Sequence, residues 1–226
     1  MGANSRRPVR GSAIWRAYSK SRYGVLFYTL LFMLVLWPAA SAISFPQVGI
    51  KLLLGACLMA AVLPNATRRN ARFFIAAVIV LVALRLGSDE GMLPVTAAAI
   101  VITWGLIGLL AAAASLRFAV STPRVDSETV YSALSTYLLA GLFFGQIYSA
   151  LEQIRPGSLT GPDPISDIIC VYYSFVTLAT LGYGDYLPRN DIVRGIAVLE
   201  VIGGQLFLAV MVARLIGAFD LPGRRT

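Results

Sequence analysis

The chain has 226 residues, 58% of them hydrophobic and 13% charged, and its mean hydropathy is +0.75. That balance excludes a water-soluble globular domain and predicts an integral membrane protein with room for about six short-linked spans. The net charge of +8 lies mainly beside the apolar runs, so it reads as a positive-inside bias and as contact with anionic lipid, not as nucleic-acid binding.

Residues 1–22 form a basic N-terminus with six Lys or Arg and no acid. An apolar run from Val25 to about Ala42 follows. Basic flank, apolar run and Ala40-Ser41-Ala42 also fit a signal peptide. The uncleaved first span is preferred, because cleavage leaves an odd span count and disturbs the charge pattern. The second span covers about Val48–Leu63, with Pro46 before it, Pro64 after it, and Arg68, Arg69 and Arg72 in the next turn. The third, Phe73–Leu86, carries Arg85 and stops at Ser88-Asp89-Glu90-Gly91. The fourth is the alanine-rich run Met92–Leu116. These spans make a four-helix front half, residues 23–116, joined by a polar cytoplasmic linker, residues 117–128, to the rest.

In the second half, residues 129–219, a fifth span covers about Val130–Leu151. The proline- and glycine-rich stretch Ile154–Pro164 makes an outer loop. Ser166-Asp167 caps a shorter helix running to about Leu178, and a sixth span covers about Ile192–Ala218. Residues 220–226 form a short tail. With both termini cytoplasmic, the inner side holds fourteen Lys and Arg and the outer side only Lys51, Arg85, Arg155, Arg189 and Arg194, as the positive-inside rule requires.

Enzymatic chemistry has little to work with. There is no histidine, and Cys57 and Cys170 are the only cysteines, too few for a disulfide framework or a thiolate metal site. Neither a nucleophile elbow nor a phosphate loop is present, so no organic cofactor is expected.

The most informative stretch is Thr180-Leu181-Gly182-Tyr183-Gly184-Asp185. A backbone that points successive carbonyls one way alternates left- and right-handed conformations, and glycine reaches the left-handed ones cheaply. Such carbonyls offer a dehydrated cation a ladder of oxygens, with the Thr180 hydroxyl as the lowest ring. Together with the capped helix before it and the apolar helix after it, this stretch resembles the pore domain of tetrameric potassium channels, over roughly Thr129–Phe219. The Thr-Val-Gly-Tyr-Gly loop of that family is the established example of carbonyl selectivity. The resemblance implies an all-α membrane protein of six transmembrane helices plus a re-entrant pore helix and filter loop, assembled as a C4 homotetramer. The whole is similar to a prokaryotic-type six-span channel without a voltage sensor.

On that resemblance the carbonyls of Thr180, Leu181, Gly182 and Tyr183 bind permeant K+. Gly184 completes the filter, and Asp185 sits at the outer mouth, concentrating cations or bonding to a tyrosine behind the filter. Tyr172 and Tyr173 form a cuff around Tyr183 or anchor at the membrane interface. Gly203 and Gly204 are an inner-helix hinge or a close-packing surface. Gln205, Ala209 and Ala213 line the cavity, and Gln146 bonds a neighbouring helix. Two positions depart from the family: Leu181 replaces the usual valine, and Val176 replaces a glutamate that some members pair with the aspartate after the filter.

Glu200 is the carboxylate inside a span. Nine residues of helix below Asp191, about 14 Å, set it level with the lower filter, and it is turned roughly 140° from Gln205. It is expected protonated or held by hydroxyls such as Ser174 or Thr177, the alternative being an acid that lines the cavity. The fourth span has no Arg or Lys before Arg117, so steep voltage gating is not expected. The front half then serves as scaffold or lipid-facing regulator. The expected activity is passive, potassium-selective conduction across a plasma membrane, the inner one in a bacterium. A weakly selective cation channel and a non-conducting regulatory subunit are the alternatives. Alanine richness and arginine over lysine point to a bacterial source.

Overall fold

The computed structural model describes residues 21–42, 94–121 and 126–218. The second and third expected spans, with Cys57, lie outside these residues, as do most of the basic N-terminus and the tail. The described chain is helical: α1 Arg22–Ala42, α2 Pro94–Ser121, α3 Ser127–Ile154, α4 Asp167–Leu178 and α5 Asp191–Ala218. Between them lie two short strands, β1 Leu159–Thr160 and β2 Leu187–Pro188, paired antiparallel with Leu159 opposite Pro188. Among the described residues α3 and α5 are long and apolar enough to cross a membrane, and Tyr23–Ala39, Gly105–Ser121 and Asp167–Leu178 are shorter apolar stretches.

The helix bounds follow local chemistry. Helix α2 continues past the expected end at Leu116 to Ser121, because Arg117-Phe118-Ala119-Val120 contains no breaker. Residues 117–121, expected in the polar linker, are therefore helical. Asp126 caps α3: its Oδ1 accepts from the Thr129 amide at 2.9 Å and from the Thr129 hydroxyl at 2.7 Å.

Helix α3 is the hub on which α1, α2 and α4 pack. Helix α1 presents Tyr23, Leu26, Leu30, Met33 and Trp37 inward at helical spacing, while Val25, Tyr28, Phe32 and Val35 stay exposed on its other side. A helix apolar on every face suits a membrane. Its first turn is pinned to α3, since the Tyr23 amide donates to Glu128 Oε2 at 3.0 Å. Helix α2 approaches α3 closely enough that a Cβ at Gly108 would fall 2.0 Å from the Phe143 ring. Ser132 Oγ donates to the Ser115 carbonyl at 2.9 Å across the same seam. Helix α5 leans on α4 and less on α3. Toward its C-terminus it meets α2 where Arg214 donates to the Val120 carbonyl, in the last turn of α2, where carbonyls lack helical partners and attract cations.

The Asp126 cap carries a prediction. Hydrogen bonds from the Thr129 side chain, then from its backbone, hold the carboxyl below its ordinary value of 3.8. Its stabilisation is therefore complete above that value and lost as pH falls through the lower folded one. Asp126→Ala should loosen the first turn of α3 by about 1 kcal/mol. Asp126→Asn should keep the cap and lose the acid dependence, as read by amide exchange in that turn.

Candidate functional site

The site is built around α4, a short helix seated on α3 by two glycine notches. Gly141 and Gly145 are one turn apart on α3. A Cβ on the first would come 2.6 Å from the Phe175 ring, and on the second 2.6 Å from the Val171 Cα. Small residues four apart let two backbones approach, which is how helices gain contact in lipid. Ser166 caps α4 through its hydroxyl, and Asp167 in the first turn is held by Ser149 of α3. The C-terminus of α4 receives the next segment. The Thr180 amide donates to the Thr177 carbonyl at 2.9 Å, and the Leu181 and Gly182 amides donate to the Val176 carbonyl at 2.9 and 3.3 Å.

From there the backbone alternates. Thr180, Gly182 and Gly184 have φ of +56°, +57° and +79°, while the residues between them do not enter that region. Such alternation of hand points successive carbonyls the same way. Two of these positions are glycine and cost little. Thr180 is β-branched, for which this conformation is an outlier held by its surroundings. Its hydroxyl donates to the Ala179 carbonyl at 2.7 Å. The strand is laid bare on one side of the chain, with Leu181 55% and Tyr183 66% exposed.

Above it, the Tyr172 hydroxyl donates to Asp185 Oδ2 at 2.8 Å, bracing that carboxylate in the absence of a glutamate at Val176. The loop after α3 folds onto the segment's far end. Tyr186 donates to Asp163 Oδ2 at 3.0 Å, Glu152 accepts from the amides of Gly157 and Leu159, and Asn190 caps α5 while donating to Ser158 Oγ at 2.8 Å. The two expected cuff tyrosines diverge within one chain. Tyr172 packs edge-on to Tyr186, and Tyr173 edge-on to Tyr148, with centroids 5.9 and 4.9 Å apart.

Beneath α4, Glu200 of α5 is fully buried. Ser174 Oγ lies 2.5 Å from its Oε1, and the Tyr148 hydroxyl donates to Oε2 at 2.6 Å. Thr177, the other expected partner, makes no bond to it among the described residues. Gln205, Ala209 and Ala213 lie on the exposed side of α5. Helix α5 runs unbroken through Gly203 and Gly204. These two glycines differ: a Cβ at Gly204 would fall 2.7 Å from the Leu178 carbonyl oxygen, whereas one at Gly203 meets nothing within 4 Å. Gln146 is buried in α3, and its Nε2 has no hydrogen-bond partner among the described residues, so the expected bond to a neighbouring helix is not found.

Four contributors are not singled out by the sequence reading: Tyr148, Tyr186, and the pair Gly141 and Gly145. The last two carry a signal, the Gly-x-x-x-Gly spacing in an apolar span. A tyrosine hydroxyl deep in a span is a weaker one.

A family model described as "Ion channel" matches residues 134–220. The chain is 31% identical over 90 residues to the inward rectifier potassium channel Kirbac3.1 of Paramagnetospirillum magnetotacticum, covering 38% of this chain and 28% of that one. It is 31% identical over 108 residues to Protein LctB of Bacillus caldotenax, covering 44% of this chain and 79% of that one. It therefore spans under a third of the first relative and about four fifths of the second. No solved structure matches the chain.

The two glycines of α5 offer a discriminating test. Gly204→Ala should push α5 off the end of α4 and cost about 1–3 kcal/mol, the range of overpacking. Gly203→Ala should cost nothing, since alanine favours a helix. Thermal midpoints of the purified protein would compare them, and equal losses would argue against Gly204 as a packing residue.

Proposed function

Because the chain belongs to the ion-channel family, we propose that it conducts K+ passively and selectively, with Thr180–Gly184 as the filter. The observation that carries this reading is the alternation of left-handed residues at 180, 182 and 184, on a strand whose amides hang from the end of α4. The amide protons of Thr180, Leu181 and Gly182 are used on α4, which leaves the carbonyls of Thr180, Leu181, Gly182 and Tyr183 to replace an ion's hydration shell. The C-terminal end of α4 adds negative potential below. The name of one relative, an inward rectifier potassium channel, supports K+ as the ion.

One strand per chain cannot surround an ion, so four copies close the ring. The exposed Leu181 and Tyr183, and the exposed apolar face of α5 from Ile192 to Ile216, suit that assembly. In it Gln205, Ala209 and Ala213 line the cavity. Asp185, held by Tyr172, acts as part of the outer brace, with its charge still at the mouth. Residues 129–219 form the pore half and 23–116 the front half, with both termini cytoplasmic in a plasma membrane and the basic flanks against anionic lipid. The described part of the fourth span carries no cation before Arg117, which supports gating by something other than voltage.

Bi-ionic reversal potentials of the reconstituted tetramer test the reading. Wild type should hold a large K+-over-Na+ permeability ratio, and Gly182→Ala, which strains φ at +57°, should abolish K+ current while the protein still assembles. A wild-type reversal potential near zero would mean a weakly selective cation channel. Reproducible absence of current would mean a regulatory subunit. Open probability should also change little between negative and positive voltages, and a steep sigmoidal curve without blocking ions would falsify the absence of a sensor.

A further inference from the structure

The hydroxyls around Glu200 set a proton-counting problem. Ser174 Oγ lies 2.7 Å from the Gly141 carbonyl oxygen and 2.5 Å from Glu200 Oε1. A serine hydroxyl has one hydrogen, and a carbonyl can only accept. If Ser174 donates to Gly141, the short contact with Glu200 needs a second hydrogen, and the carboxyl must bring it. Tyr148 supplies one hydrogen to the other carboxyl oxygen at 2.6 Å. Every acceptor is then matched in one direction: Tyr148 donates to Glu200, Glu200 to Ser174, and Ser174 to Gly141.

The surroundings favour this count over an ionised side chain. Glu200, Ser174 and Tyr148 are all fully buried, and among the described residues Glu200 makes no ion pair. A carboxylate there would carry an uncompensated charge in an apolar interior. The apolar cleft beside Glu200 is walled by Ala112, Thr136, Ala140, Phe144 and Phe207 and offers no cation.

The chain of bonds also has a mechanical sense. Ser174 and Leu178 are one turn apart on α4, and Glu200 and Gly204 are one turn apart on α5. Glu200 grips Ser174, and Gly204 lies against the Leu178 carbonyl. The two helices mate over a single turn, immediately behind the residues whose carbonyls hang the filter. Tyr148 and Gly141 tie the same turn to α3.

We propose that Glu200 is a neutral carboxylic acid in a directed chain from Tyr148 through Ser174 to Gly141, and that this chain positions α4 and the filter. Tyr148 and Ser174 are thereby positioning residues for ion selection, acting through Glu200 and never touching the ion. The positioning part rests on the filter assignment above. The protonation state does not.

Infrared difference spectra of the reconstituted wild-type tetramer against Glu200→Gln test the first part at neutral pH. The wild type should show the carbonyl stretch of a protonated carboxylic acid, and Tyr148→Phe should shift it. Glutamine reproduces the pattern of a neutral acid, donating to Ser174 and accepting from Tyr148, so Glu200→Gln should keep both unitary conductance and the K+-over-Na+ ratio. Glu200→Val and Ser174→Ala should lower that ratio by roughly tenfold, the scale of one lost buried hydrogen bond. Ser174→Ala with Tyr148→Phe should lose less than the sum of the two single changes. Should Glu200→Val fail to assemble, Ser174→Ala and Tyr148→Phe still decide. No acid band, together with a conductance loss in Glu200→Gln that grows at low salt, overturns the proposal in favour of an ionised cavity acid. An unchanged ratio in Ser174→Ala, Tyr148→Phe and their combination overturns the positioning role. A wild type without K+ preference sinks the filter reading instead, and the infrared band then stands or falls separately.

Discussion

A segment whose backbone alternates in hand cannot hold itself. Residues 180–184 belong to no helix or sheet. The Thr180–Gly184 backbone depends on three amide bonds to Val176 and Thr177, so its position is set by where α4 ends. Everything around it serves to fix that end: the glycine notches of α3 on one side, Gly204 and Glu200 of α5 on another, and the Tyr172–Asp185 bond above. The strand is as rigid as its seat.

The seat is made largely of absent side chains. In lipid no hydrophobic gain draws helices together, so close contact and a few internal hydrogen bonds carry the association. Gly141, Gly145 and Gly204 each bring a backbone or ring to a distance that a Cβ would forbid. The same device recurs at Gly108 against Phe143, which joins α2 to the hub. Polar groups near those contacts include Ser132, bonded to the Ser115 carbonyl, and Ser174, bonded to the Gly141 carbonyl.

Much of this was legible in the residues. The Thr-x-Gly-Tyr-Gly-Asp run, the Ser166 cap and the apolar lengths locate α3, α4 and α5 within a few residues. Depth counting along α5 put Glu200 level with the end of α4, and the structure has it buried against Ser174 of that helix. What was not legible depends on rotation and on contacts distant in sequence. Tyr148 is 52 residues from Glu200, and no local pattern announces that pairing. The left-handed backbone at Thr180 is hidden because threonine does not advertise it. The divergence of Tyr172 and Tyr173 follows from one residue of helix turning by 100°, which sends adjacent rings to different neighbours. The end of α2 was placed too early because charge at Arg117 reads as linker, whereas nothing from Arg117 to Ser121 breaks the helix.

The alternation of hand has a consequence for how such a segment can drift over generations. Residues 180, 182 and 184 occupy left-handed backbone, where an ordinary side chain is strained; glycine relieves this at 182 and 184, and Thr180 bears it. Residues 181 and 183 do not have positive φ, so a side chain there carries no such strain, although position 181 must keep the amide that bonds to Val176. The backbone therefore tolerates a changed side chain at these alternate positions more readily than at 182 or 184. Leucine at 181, in place of the valine usual in such channels, is the kind of substitution that this geometry lets through.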